Sequence, residues 1–375
     1  MFEQQKQQAG DNSQQIQVEQ LVINNGIDEK RAREIVDEKL HEIIPSYTQE
    51  ARTVAESRIN LFANDLIPKL VKGNLLEALK EPSIQIMLSE AQKSAASTER
   101  EADYALLSEL LIQRVKKGTD RNVRAGISRA VEIVDKISDE ALLGLTVAHS
   151  LAAFTPSTGS IENGVEVLAG LFEKTMYAPL PKGSVWLENL DVLDAIRVSS
   201  LGSLKKTDNF YAARLSGYVD IGIEKESGNY ECALAVLRDA SLPADILCDH
   251  ALREGYVRLN IVNVDRLDSL TIRQYVQLDP SDKQKTFPVL LPLFEKQKQK
   301  IIEVYAMYKK DTRLRNENVA RLMEIFENYE SLKELRKWWD SLPMSFSITP
   351  VGRVLAQANA QRCDPSIPNR LIPIC

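Results

Sequence analysis

Three histidines, four cysteines and one basic stretch are the residues of this chain with the types to do chemistry. His41, His149 and His250 are far apart in sequence. Cys232, Cys248, Cys363 and Cys375 lie in the second half without a close CxxC pair, a spacing that fits neither a disulfide framework nor a zinc ribbon and implies reduced thiols in a cytosol. Cys248, Asp249 and His250 form the tightest cluster. Adjacent side chains point in different directions, so closing round one metal ion would require Cys232 or another distant ligand. A buried cysteine beside a surface-facing Asp and His is the simpler reading. His149 sits in the apolar run ALLGLTVAHSLAAF (141–154) and reads as a core histidine with one satisfied nitrogen. The chain contains no GxxxxGK[ST] loop, GxGxxG after a strand, GxSxG elbow or HExxH helix. No catalytic residue, metal-ligand set or cofactor is therefore assigned.

The basic stretch RVKKGTDRNVRAGISR (114–129) gathers Arg114, Lys116, Lys117, Arg121, Arg124 and Arg129 across a helix end, a turn and a helix start. It is the best local anion or nucleic-acid contact in the sequence. Lys116 and Lys117 also complement the negative end of their own helix, and no aromatic residues are interleaved for base stacking. The net charge of -6 argues against a surface that tracks a phosphate backbone along its whole length. In SFSITPVGRV, Thr349 reads as an N-cap, Pro350 as the first helical residue and Gly352 as lying just inside. Arg353 is adjacent, but a capped helix docking on the preceding one through Val354, Leu355 and Ala358 accounts for every residue. Trp338 and Trp339 read as core and rim packing.

These residues must be positioned mainly by helices. The 375 residues, 44% hydrophobic and 27% charged, are those of a globular chain of two or three domains. The polar opening MFEQQKQQAGDNSQQ lacks a signal-peptide core, and the apolar runs 141–154 and FPVLLPLF (287–294) are too short to span a bilayer, which predicts a cytoplasmic protein. Asp28 offers an N-cap for a helix that ends before Pro45. Ala51, Val54, Ala55, Ile59, Phe62, Leu66 and Ile67 recur at three and four on a longer second helix, which Pro68 is expected to kink or end. Ser138 marks another start. The Pro- and Gly-rich APLPKGS (178–184) separates this bundle from a middle region in which YVDIGI (218–223) and YVRLNIVNV (256–264) read as strands. The second alternates Val257, Leu259 and Ile261 against Arg258 and Asn260. Helices return from about 288. The expected fold is mainly α, with helical bundle domains, a short N-terminal β-strand and a small β element in the middle. Its divisions are 1–14, a flexible lead; 15–26, a strand; 27–178, a helical domain; 179–285, a mixed α/β region; and 286–375, a second helical domain.

The stretches GDNSQQIQ (10–17), GIDEKRAREIV (26–36), DYALLSELL (103–111), RAVEIVDKI (129–137) and SITPVGRVLAQAN (347–359) together resemble an uncharacterised family of bacterial proteins with a GDNS opening and a TPVG-type end. The resemblance implies a bacterial cytoplasmic origin and company with phage-defence or mobile-element genes. It carries no reaction, cofactor or site residue.

The opening strand is the remaining feature. Ile16, Val18 and Val22 lie on one face and Leu21 and Ile23 on the other, so the strand must be paired and covered. It can join the middle sheet or pair with copies from other subunits, and the polar lead before it and the Asn24–Asn25–Gly26 turn after it favour the second. The chain is thus expected to be a non-enzymatic homo-oligomer that presents a helical body to a protein partner, within a phage-defence or stress pathway. The alternatives are a nucleic-acid-binding effector using 114–129 and an enzyme whose site the sequence does not reveal.

Overall fold

The computed structural model describes residues 26–43, 47–117, 120–199, 202–277 and 286–368. The opening strand, with Ile16, Val18, Leu21, Val22 and Ile23, lies outside the described residues. From residue 29 the three-and-four periodicity folds as α1 (Glu29–Ile43), α2 (Gln49–Lys72), α3 (Pro82–Ser97), α4 (Glu101–Lys117), α5 (Arg121–Ile133), α6 (Asp139–Ala153) and α7 (Ile161–Thr175). Side-chain caps set several of the starts. Asp28 accepts from the Arg31 amide at 2.7 Å, and Thr48, Ser138 and Ser160 cap α2, α6 and α7 in the same way. Pro68 does not end α2, which continues to Lys72. The amide hydrogen bond that proline removes lies on the exposed side, while Leu66, Ile67 and Leu70 stay buried across it, so packing outweighs its loss. Ala51 and Val54, expected on the buried stripe of α2, are exposed.

Beyond the Pro- and Gly-rich segment come α8 (Val185–Val192), β1 (Ile196–Ser199), α9 (Thr207–Arg214), α10 (Ser216–Val219), β2 (Ile223–Glu224), α11 (Gly228–Asp239), β3 (Leu247–Asp249), β4 (Tyr256–Leu259), β5 (Thr271–Gln277) and β6 (Thr286–Pro292). The chain continues through α12 (Glu295–Ala306), α13 (Thr312–Phe326), α14 (Glu330–Asp340), β7 (Ser345–Ile348) and α15 (Pro350–Cys363). The fold is mainly α. All strand pairs are antiparallel: β1 with β7, β4 between β2 and β3, and β5 with β6 in a ribbon from Thr271↔Pro292 to Gln277↔Thr286. Of the expected strand 218–223 only the end forms, because Tyr218 and Val219 belong to the turn α10 and are buried in the larger core. The apolar run 287–294, by contrast, is largely strand.

The apolar cores are not laid out in chain order. The larger joins residues from Ala32 to Ala358 and so draws on both sides of 178–184. In it α15 lies against α4, α5 and α6 rather than on the preceding helix, and α14 lies against α7. A smaller core gathers Ile223, Leu237, Val257, Leu259, Ile301 and Val304 from the three-stranded sheet, α11 and α12. Trp338 and Trp339 are both buried, and their indole N–H groups donate to the carbonyls of Pro181 and Lys205 at 2.9 Å.

Gly352 seats α15. A β-carbon there would stand 2.0 Å from the Ala195 carbonyl oxygen, an impossible approach to backbone. The same carbonyl accepts from the Thr349 amide at 3.1 Å, and Thr349 Oγ1 caps the helix by accepting from Gly352 N at 3.1 Å. Gly352→Ala is expected to lower the unfolding free energy by about 3 kcal/mol, read from urea denaturation, since β1 or the start of α15 must shift. A loss under about 0.5 kcal/mol, ordinary for a surface change, would contradict this seating.

Candidate functional site

Two polar seams and one basic corner hold the residues with chemical potential. The first seam lies between α6 and α15. Helix α6 is apolar round almost its whole circumference and enclosed by α7, α8 and α15, so Thr146, His149 and Ser150 are buried in it. Helix α15 supplies their partners. Asn359 Nδ2 donates to Thr146 Oγ1 at 2.8 Å, and its Oδ1 accepts from Arg362 Nε at 2.8 Å. His149 Nε2 lies 3.4 Å from Gln357 Oε1, and the ring meets Phe154 edge-on. Burial pushes the His149 pKa down to about 4, so the ring is neutral at pH 7.

The second seam joins the two cores. Expected on a solvent face, Arg258 is 2% exposed. The loop 155–160 covers that side of β4, and the guanidinium donates to the carbonyls of Gly159 at 2.6 Å, Leu259 at 3.0 Å and Gly217 at 3.2 Å. It also lies over the Tyr218 ring, 5.6 Å from its centroid. Nearby, Arg253 holds Leu314 O at 2.7 Å, Asn318 Oδ1 at 3.0 Å and Glu317 at 3.1 Å, tying the β3–β4 connection to α13. His250 is buried with both ring nitrogens engaged. Nε2–H donates to Asp220 O at 2.9 Å, and Nδ1 accepts from Leu252 N at 3.1 Å. Burial holds this ring also near pKa 4.

Asp220 opens onto a cleft of about 290 Å³ that Tyr305, Tyr308, Lys309 and Arg315 also line. Its two carboxylate oxygens accept from Tyr305 Oη and from Arg315 Nε, the latter at 2.6 Å. Burial, with Asp220 beside it, raises the Tyr305 pKa, which makes that phenol a poor nucleophile at neutral pH. Asp220, Tyr305 and Arg315 hold one another, while Tyr308 Oη accepts from Leu259 N and Lys309 Nζ donates to Tyr256 Oη at 3.0 Å.

The Cys248–Asp249–His250 cluster is dispersed, with Asp249 paired to Lys225 at 2.8 Å and the His250 nitrogens occupied. Burial pushes the Cys248 and Cys363 thiols up, away from reactivity, whereas Cys232 is exposed. His41 is exposed at the end of α1. Among the described residues no group of three or more His, Cys, Asp or Glu could hold a metal ion, and no helix is long and apolar enough to cross a membrane.

The six basic residues of 114–129 do not share one face. Arg129 pairs with Glu132 at 2.8 Å and approaches Asp194 at 3.9 Å, while Arg114 turns inward and donates to Ser83 Oγ at 3.1 Å. Lys116 and Arg121 are exposed, and Arg124 and Lys117 are half-buried. Sequence reasoning missed Asp220, Arg253, Arg258 and Arg315. Each is a charged residue in an ordinary polar context, and only the position of Arg258 in an alternating strand gave any signal, which pointed outward.

A family model whose description, ":-like", names no activity matches residues 26–242, more than half of the chain. No curated protein and no solved structure matches it.

The two buried histidines make stability depend on pH. Each has a folded pKa of about 4 against an ordinary 6.5. The unfolded chain therefore takes up their protons first, and stability falls as pH drops from 6.5 toward 4, then levels off. His149→Gln, which keeps a neutral polar group beside Gln357, is expected to flatten the loss of urea midpoint across this window. An unchanged pH slope would show that His149 is not held neutral by burial.

Proposed function

The chain belongs to the family matched over residues 26–242, and from that premise we propose a non-enzymatic interaction protein of the bacterial cytoplasm. It self-associates through Ile16, Val18, Leu21, Val22 and Ile23 and presents its helical body to a protein partner. The defence or stress setting comes from the resemblance carried by the GDNS and TPVG stretches.

One observation carries the reading. The β5–β6 ribbon pairs with no further strand among the described residues, so its outer edges are free of strand pairing there. Two strands alone are marginal in water. Ile272 and Leu293 anchor the base of the ribbon in the smaller core, while Val289 and Leu290, on opposite faces of β6, are 39% and 67% exposed. Phe294, the extended N-cap of α12, and Ile302 on that helix are exposed as well, at 61% and 51%. Exposed apolar side chains beside a strand edge are features of a surface that receives another chain.

Light scattering on the full chain and on a variant lacking residues 1–25 tests the self-association. The full chain is expected to form an assembly larger than a monomer, and the deletion to return it to a monomer that still melts cooperatively. A monomeric full chain, or an assembly that survives the deletion, rules the reading out.

A further inference from the structure

We infer that the apolar cleft between α7 and the turn after α15 is covered by the residues that follow that turn, 369–375 (NRLIPIC), laid back along α7. This contact goes beyond the interaction role proposed above and does not depend on it. The cleft encloses about 450 Å³, and its walls include Phe154, Val167, Gly170, Leu171, Ile367 and Pro368. Val167, Gly170, Leu171 and Lys174 fall at i, i+3, i+4 and i+7, so a single stripe of α7 faces it. Leu171, half-buried, already packs on a small apolar cluster of Ala153, Phe154, Ala360 and Ile367. One turn earlier on the same stripe Val167 is 57% exposed, and a β-carbon on Gly170 would meet nothing within 4 Å. The cluster therefore stops half-way along the stripe, with room beside it for further apolar side chains.

The chain arrives at this cleft and is held there. Asp364 pairs with Lys174 at 2.8 Å and accepts from Ser366 N at 2.9 Å and Ser366 Oγ at 2.7 Å. Gln361 Nε2 donates to Ile367 O and Gln357 Nε2 to Pro368 O, each at 3.2 Å. Ile367 is thereby set into the cluster at 5% exposure, and Pro368 stands on the cleft wall. The side chains that come next include Leu371, Ile372 and Ile374, the apolar groups that the open half of the stripe lacks. Six residues beyond Pro368 reach about 20 Å when extended, and α7 rises only about 10 Å from Val167 to Lys174, so the segment is long enough to run the length of the stripe. Pro373 disfavours helical backbone at Ile372, which suits an extended chain lying against a helix. Glu166 and Glu173, exposed beside the stripe, are opposite in charge to Arg370. Because Pro368 is already fixed at the cleft, covering it is an intramolecular step, and the tether favours this segment over one from a separate chain.

Urea unfolding at one protein concentration is compared for the native chain, a variant lacking 369–375, Val167→Gln, and the two changes combined. An uncovered Val167 would tolerate glutamine with almost no effect, as exposed positions ordinarily do. With the segment packed on it, Val167→Gln is expected to raise the unfolding equilibrium constant about tenfold, and the deletion to raise it by a similar factor. The combination should raise it little more than either change alone, because both remove the same contact. Light scattering on the deletion variant supplies the second readout, and the assembly is expected to keep the number of copies that the native chain has. The inference is overturned if Val167→Gln shifts the constant by less than about twofold, or if the two effects multiply as independent changes do. It is overturned as well if the deletion lowers the number of copies, since the segment would then be seated on a second copy of the chain.

Discussion

The carbonyl oxygen of Ala195 occupies the space where a side chain on residue 352 would begin, and this close approach sets the position of α15. With Thr349 bonded to the same carbonyl and Pro350 occupying the first helical turn, the last described helix enters the larger core at a defined angle. It then covers α4, α5 and α6 with Val354, Leu355, Ala356, Ala358 and Ala360, all buried. Small residues on this face let the backbones come close, and the amides of Gln357 and Asn359 meet the polar groups that α6 buries. The leucine- and valine-rich faces laid down early in the chain thus depend for their cover on residues some two hundred positions later.

A second constraint holds the smaller core to the larger. Arg258 is a buried cation compensated by three neutral carbonyls and an aromatic face rather than by an acid. Carbonyls from the 155–160 loop and from α10 reach it only if β4 lies against both, so the guanidinium demands one arrangement of three separate segments. Gly159 and Gly217 are required by that closeness, because a β-carbon on either would run into the backbone at Asn260 or Ile261. The Asp220, Arg253 and Arg315 bonds continue the seam to α13. Charges that look available in sequence are used here as internal fasteners.

The functional picture follows from which groups remain uncommitted. His149, His250 and the polar lining of the Asp220 cleft are tied into the fold. Among the described residues, Val289 and Leu290 of the β5–β6 ribbon are exposed instead.

Local physics made much of the helical order legible in the residues. Asp28 and Ser138 as caps, the stripe through Ile59, Phe62 and Leu66, and the Thr349–Pro350 start all depend on neighbours within a turn or two, so periodicity and cap chemistry suffice to read them. Long-range packing decided the rest. Pro68 stays within α2 because burial on both sides of it outweighs one hydrogen bond. Arg258 faces inward because a loop a hundred positions earlier covers its side of β4, and the outward expectation assumed that side was wet. The basic stretch was legible as charge but not as one face: Arg129 pairs with Glu132 and approaches Asp194, distant in sequence, while Arg114 turns inward to Ser83 on α3. A sequence by itself determines where its helices begin and which faces are apolar, because those follow from nearest neighbours along the chain. Which buried charge finds which partner is set by segments that meet only when the chain has folded.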